Sequence, residues 1–217
     1  MHYKCLPKNT RNLLKKLDKF TRAHDLVLAG GTGLALQIGH RTSVDLDYFT
    51  QKKFSTEKVF QELQHLGLNP SIQEESEGSI TVIADGTKLS IFHYSYPFIE
   101  EYKNADGSPV AGIIDIASMK VIAISQRGAK RDFIDLYFIL QTTPFWKIAE
   151  NMIRRFGQAR INPLLIGKSL VFFDDAEEDP DPNFTGPDNP TWKKVKKFFA
   201  KNVQQIVLDI QDAKRDK

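Results

Sequence analysis

Residues 25–49, DLVLAGGTGLALQIGHRTSVDLDYF, constrain the fold more than any other stretch of the chain. Asp25 to Ala29 is a short apolar run ending in Gly30-Gly31, the pattern of a buried strand that runs into a glycine turn. Thr32 to Gly39 carries Leu34, Leu36 and Ile38 and can close as a short helix. Val44 to Phe49 alternates apolar and polar side chains, which predicts a strand with Asp45 and Asp47 on one face. Carboxylates at i and i+2 of a strand lie roughly 7 Å apart at their Cα atoms. Two like charges that close repel unless a cation sits between them. A hard, oxygen-seeking ion, Mg2+ or Mn2+, suits two carboxylates and can bridge them to phosphate oxygens. The glycines of Gly30-Gly31-Thr32 let backbone approach a phosphate, the helix start offers N–H donors, and Thr32 adds a hydroxyl. No Gly-Lys-Ser/Thr follows at P-loop spacing, and the glycines fall short of a dinucleotide fingerprint.

The surrounding pattern sets these elements in an α+β frame. Leu13, Leu17, Phe20 and His24 recur on a helical period, and Ser55 is placed to cap a helix carrying Val59, Phe60, Leu63 and Leu66. Strands are expected at 71–76, 79–84 and 87–94, with Asp85-Gly86 as the hairpin turn between the last two. From Asp115, a candidate cap, the helical pattern returns and runs to Ser125. It breaks at Gly128 and resumes over Arg131 to Gln141, 145–156 and 163–172. Phe145, Trp146 and Phe156 read as helix core. The expectation is a mixed or antiparallel sheet with flanking helices over 1–112, followed by a helical C-terminal part over 113–217.

Composition removes several classes. With 41% hydrophobic residues and 15 Phe the chain can fill a core, so whole-chain disorder is excluded. No apolar run approaches the ~18 residues of a membrane helix, and MHYKCLPKNT has no apolar leader segment. The lone Cys5 excludes a disulfide framework or a Cys-rich zinc site and fits a reducing cytoplasm. A net charge of +3 does not by itself point to nucleic acid. The charge is unevenly placed, however. Residues 173–191 hold seven acidic side chains, no basic ones and four prolines, and read as an exposed loop. Residues 192–217 hold eight basic and three acidic side chains on a helical pattern of Trp192, Val195, Phe199, Val203, Ile206 and Ile210. That helix packs on the body with a solvated lysine-rich face, or its lysines find a partner in the acidic loop or in a nucleic-acid backbone.

Two blocks carry a resemblance. GGT followed by HRTSVDLDYF resembles the Gly-Gly-Ser/Thr … Asp-x-Asp signature of the nucleotidyltransferase superfamily, the DNA polymerase β-like fold. More closely, Leu28 to Phe49 and Ala117 to Tyr137 (ASMKVIAISQRGAKRDFIDLY) are similar, in the same order, to two blocks of the AbiEii toxin family of minimal nucleotidyltransferases. The resemblance spans roughly residues 20–140. It implies transfer of a nucleoside monophosphate from an NTP to an acceptor hydroxyl on RNA, tRNA included, or on protein. It also implies a separately encoded antitoxin as partner.

By the same resemblance, Asp45 and Asp47 are the metal ligands and, with Lys120, Asp132 and Asp135, the catalytic residues. Gly30, Gly31, Thr32, Arg41 and Lys120 bind the nucleotide, and Arg127 is a further phosphate candidate. One departure stands out. The superfamily usually carries a third carboxylate on a later strand, whereas Thr87 to Tyr94 (TKLSIFHY) has none and Ser90 occupies that place. Either Asp132, Asp135 or His93 acts as base, or the chain is a catalytically weak or inactive module that binds nucleotide or a partner.

Overall fold

The computed structural model describes residues 1–215; Asp216 and Lys217, the end of the expected C-terminal helix, lie outside the described residues. The chain divides into two compact units, one of Met1–Pro97 with Glu101–Ala111, the other of Phe98–Glu100 with the chain from Gly112 onward.

In the first unit the N-terminal helical pattern is split into α1 (Lys8–Lys16) and α2 (Asp18–Ala23), joined at Leu17. Leu13, Leu14, Leu17 and Phe20 are all buried, so one apolar face continues across the joint. A two-residue β1 (Val27–Leu28) leads into α3 (Gly30–Ile38), and β2 (Leu46–Thr50) follows. Helix α4 (Thr56–His65) is capped by Ser55, whose Oγ accepts from Lys58 N at 3.3 Å. Strands β3 (Ser71–Ser76), β4 (Ser79–Ala84) and β5 (Thr87–His93) form the expected meander. Its second turn places Asp85 and Gly86 in the left-handed region, at φ 49° and 71°.

A hairpin absent from the sequence reading, β6 (Lys103–Ala105) and β7 (Ser108–Val110), completes the sheet. The seven strands run in the order β3-β4-β5-β2-β1-β7-β6. β2 pairs parallel with β5 and β1 pairs parallel with β7, while β1–β2 and the hairpins are antiparallel. The sheet is therefore mixed. Its core face carries Leu46, Tyr48, Ile80, Val82, Leu89 and Ile91, covered by Leu13, Leu17 and Leu63. Burial raises the Tyr48 hydroxyl far above its ordinary pKa, and the group stays neutral 3.0 Å from Ser108 Oγ.

The second unit is helical: α5 (Ile113–Arg127), α6 (Lys130–Leu140), α7 (Phe145–Phe156), α8 (Pro163–Ser169), α9 (Asp174–Glu177) and α10 (Trp192–Arg215). Helix α10 packs on α6, α7 and α8. The ring of Phe133 meets Phe173, Trp192 and Phe199 at centroid distances of 5.4, 5.7 and 5.5 Å. Two sequence expectations fail here. Trp146 is 47% exposed, with the Lys147 ammonium 5.4 Å from its ring, so it is not core. Asp115 does not cap α5, because Gly112 stands at that position. The capping carboxylate is Glu100, which accepts from Ile114 N at 2.6 Å and Asp115 N at 3.3 Å. The buried Asp115 instead accepts from Ile99 N and Glu100 N, both at 2.9 Å, and from Asn151 at 2.8 Å.

The acidic segment is exposed over much of its length, yet it is anchored. The buried Lys130 gives its ammonium to the carbonyls of Glu177 and Asp179, while Asp179 Oδ2 accepts Lys130 N at 2.9 Å, holding the first turn of α6. Lys196 of α10 meets Glu177 at 2.5 Å, and that hydrogen bond holds the Glu177 carboxyl below the usual glutamate range. The contact is thus intact at neutral pH and is lost as the pH falls through the lowered pKa. Replacing Asp179→Ala should cost about 1 kcal/mol and speed amide exchange in the first turn of α6. Unchanged exchange there would show that the segment does not hold the helix.

Candidate functional site

The glycine turn and the Asp-Leu-Asp strand meet in the first unit. Asp45 immediately precedes β2, and Asp47 lies within it. Leu46, Tyr48 and Thr50 alternate into the core, so Asp47 and Phe49 face the other way. Gly30 sits against Asp47: its φ is +60°, and a Cβ there would lie 3.1 Å from Asp47 Oδ2. Both the left-handed backbone and the close approach therefore require glycine. On the next residue a Cβ would run into the Arg41 guanidinium. Arg41 is buried, and its Nη1 donates to Thr42 O at 3.1 Å. The turn is thus flanked by a carboxylate at Gly30 and a guanidinium at Gly31.

Thr32 takes a different place from the one its hydroxyl suggested. It is buried, and its Oγ1 bonds Ser43 Oγ at 2.7 Å and the carbonyl of Asp45. The side chain therefore fixes the peptide that carries Asp45. Ser43 is a part of the site that the sequence reading missed. Its signal was present, two residues ahead of Asp45 in the same block. The other donors at the turn are backbone ones. The first helical bond of α3 runs from Gly33 N to Ala29 O at 3.0 Å, so the N–H groups of Gly30, Gly31 and Thr32 precede it.

Across the sheet, Asp47 on β2 is in register with Ser90 on β5, and Ser90 with Thr81 on β4. Ser90 is buried and accepts from Thr81 Oγ1 at 3.2 Å. In that same cross-strand row the next carboxylate is Glu74 on β3, paired with Thr81. At about 4.8 Å per strand it stands roughly 14 Å from Asp47, too far to share an ion. His93 pairs with Thr50 and has the parity of Leu89 and Ile91, so it does not share the face of Asp47. Among the described residues no cluster of three or more His, Cys, Asp or Glu forms a metal centre. The Asp47 carboxylate beside the glycine turn, with Asp45 two residues before it and held through its carbonyl by Thr32, nevertheless suits a magnesium-like ion, which keeps several waters and takes further oxygens from a substrate's phosphates.

The remaining predicted residues form a charge cluster in the second unit. Lys120 Nζ lies 2.7 Å from Asp132 Oδ1 and 2.5 Å from Asp135 Oδ2, with both aspartates fully buried. The spacing of three on α6 puts both carboxylates on the face that meets Lys120 of α5. Arg127 closes the cluster, with Nε 2.9 Å and Nη2 2.8 Å from Asp132 Oδ2. Two cations thus balance two carboxylates inside the helical unit, and the Lys120 ammonium is engaged by them rather than projecting freely.

The fold is nucleotidyltransferase-like. Over 97% of each chain it matches the crystal structure of JHP933 from Helicobacter pylori, with a TM-score of 0.61 and 20% identity. A putative nucleotidyltransferase from H. pylori matches with a TM-score of 0.59 and 19% identity, over 94% of this chain and 96% of that one. MenT4, a nucleotidyltransferase toxin from Mycobacterium tuberculosis, matches with a TM-score of 0.59 and 16% identity, over 95% and 91%. At these identities the likeness is one of fold. The family follows from sequence: the model described as "Nucleotidyl transferase AbiEii toxin, Type IV TA system" matches residues 12–108 and 104–210, and the chain belongs to that family. It is also 35% identical, over 207 residues, to the Aquifex aeolicus protein named "Uncharacterized protein aq_aa25", covering 93% of this chain and 98% of that one.

Proposed function

We propose that the chain is a metal-dependent nucleotidyltransferase that moves a nucleoside monophosphate from an NTP to an RNA, such as tRNA, or to a protein. The observation that carries this reading is the Asp47 carboxylate against Gly30, with the Arg41 guanidinium against Gly31. Asp45 and Asp47 would hold Mg2+ or Mn2+, which when bound supplies positive charge at the phosphates and lowers the pKa of the attacking hydroxyl. The N–H groups of Gly30, Gly31 and Thr32 bind phosphate oxygens at the start of α3, and Arg41 adds fixed positive charge. Thr32 and Ser43 keep the Asp45 peptide in place. Lys120 organises Asp132 and Asp135 within the helical unit. By family, the activity is that of a toxin in the cytoplasm, held in check by an antitoxin partner.

A second reading, a weak or inactive nucleotide- or partner-binding module, is favoured by Ser90. It stands beside Asp47 in the sheet, and a serine is no general base unaided. One experiment separates the two readings. The purified chain is incubated with Mg2+, each of the four α-labelled NTPs, and tRNA or protein fractions. Transfer predicts labelled acceptor with at least one NTP, while a binding module retains nucleotide and labels nothing.

A further inference from the structure

A cavity of about 250 Å3 opens in the helical unit at the C-terminal end of α5. That is slightly below the ~300 Å3 at which sites for small ligands start, so it suits only a phosphorylated sugar, with a base left outside along its rim. Arg127 and Lys168 line it, the only lysine or arginine side chains among the described residues that do. Two of the five N–H donors of Arg127 go to Asp132, which fixes the guanidinium plane, while its side chain remains 57% exposed. Ser125 and Ser169 also line the cavity, and both hydroxyls donate to helix carbonyls, to Ile122 O at 2.8 Å and Leu165 O at 3.0 Å. They therefore present lone pairs, as does the exposed carboxylate of Asp175. Phe172, 51% exposed, stands beside them as an aromatic face. Gly128 makes the arrangement compatible with its helix end: its φ is +57°, and a Cβ would lie 3.1 Å from Asp175 Cβ.

Two cations alone would describe a phosphate site, but a carboxylate and two acceptor hydroxyls disfavour a bare phosphate. They suit a ligand that also carries hydroxyl or amino donors. An exposed aromatic ring beside them suits a base. We infer that this cavity binds a 5′-phosphorylated ribonucleotide unit, with phosphate on Arg127 and Lys168, sugar hydroxyls on Asp175 and the serines, and base against Phe172. The inference stands independently of transfer at Asp45 and Asp47. The ligand source is a free mononucleotide or one residue of a single-stranded RNA.

The test is calorimetric titration of the full chain, without added divalent metal, with 5′-AMP, 5′-dAMP, inorganic phosphate and a short single-stranded oligoribonucleotide. Wild type is compared with Lys168→Glu, Phe172→Ala and Asp45→Asn; Lys168 and Phe172 are exposed, so both variants keep the fold. Affinity for 5′-AMP should fall about tenfold or more in Lys168→Glu, and about fivefold in Phe172→Ala. It should persist in Asp45→Asn. 5′-dAMP and phosphate should bind more weakly than 5′-AMP. If only the oligoribonucleotide binds and it alone responds to Lys168→Glu, the source is the strand and the site is upheld. Binding of neither ligand, binding that ignores Lys168→Glu, or binding lost in Asp45→Asn instead would overturn it.

Discussion

Asp47→Asn should abolish nucleotidyl transfer while leaving the protein folded. The side chain lies on the face of β2 turned away from the core, and the carboxamide keeps its shape against Gly30. What is lost is one of the two negative charges proposed to hold the metal. Removing a single preorganised electrostatic contact costs about 10²–10³ in rate, and a metal ligand should cost at least that. Asp45→Asn should behave alike. Asp45→Asn should not lower thermal stability, because it relieves repulsion between two nearby carboxylates in the metal-free protein. Single-turnover labelling beside a thermal melt reads both effects. Full activity in both variants would remove Asp45 and Asp47 from the mechanism.

Lys120→Ala should have the largest effect on stability. Its ammonium lies between Asp132 and Asp135, both inaccessible to solvent, and its removal takes a positive charge away from two buried carboxylates. Breaking a buried pair by deleting one partner costs about 3–5 kcal/mol, which should appear as a large drop in the unfolding midpoint of the helical unit. A triple variant, Lys120→Met with Asp132→Asn and Asp135→Asn, removes the charges together and should recover much of that stability. If the triple variant is stable yet inactive, the cluster serves the reaction. If it is stable and active, the cluster is purely structural. A fully stable Lys120→Ala would contradict the buried pairing itself.

The Gly-Gly-Thr turn and the Asp-Leu-Asp strand were legible because both are local: two glycines, a hydroxyl and a period of two say most of what the backbone does. The Asp85-Gly86 hairpin was legible for the same reason, since β-branched runs flank it. Asp106-Gly107 makes an equivalent turn, with φ of 46° and 95°, but its flanks are three residues long and read as Lys-Asn-Ala and Ser-Pro-Val. Those strands owe their place to non-local pairing, as in Leu28 with Val110. Glu100 as the cap of α5 left no signal, because it arrives from outside the helix that it caps. The burial of Lys120 is not legible in the sequence; only packing of α5 on α6 shows that its partners are Asp132 and Asp135. Thr32 was assigned to a phosphate from its neighbours in sequence, while its hydroxyl turns inward to Ser43 and the Asp45 carbonyl.

The most direct measurement follows the two ends of the triphosphate. Wild type and Asp47→Asn are incubated with Mg2+, acceptor fractions and the same NTP labelled at either the α- or the γ-phosphate. Nucleotidyl transfer predicts α-label on the acceptor, γ-label released as pyrophosphate in equal amount, and neither with Asp47→Asn. Transfer of the γ-label, or α-label incorporation that survives Asp47→Asn, would contradict it.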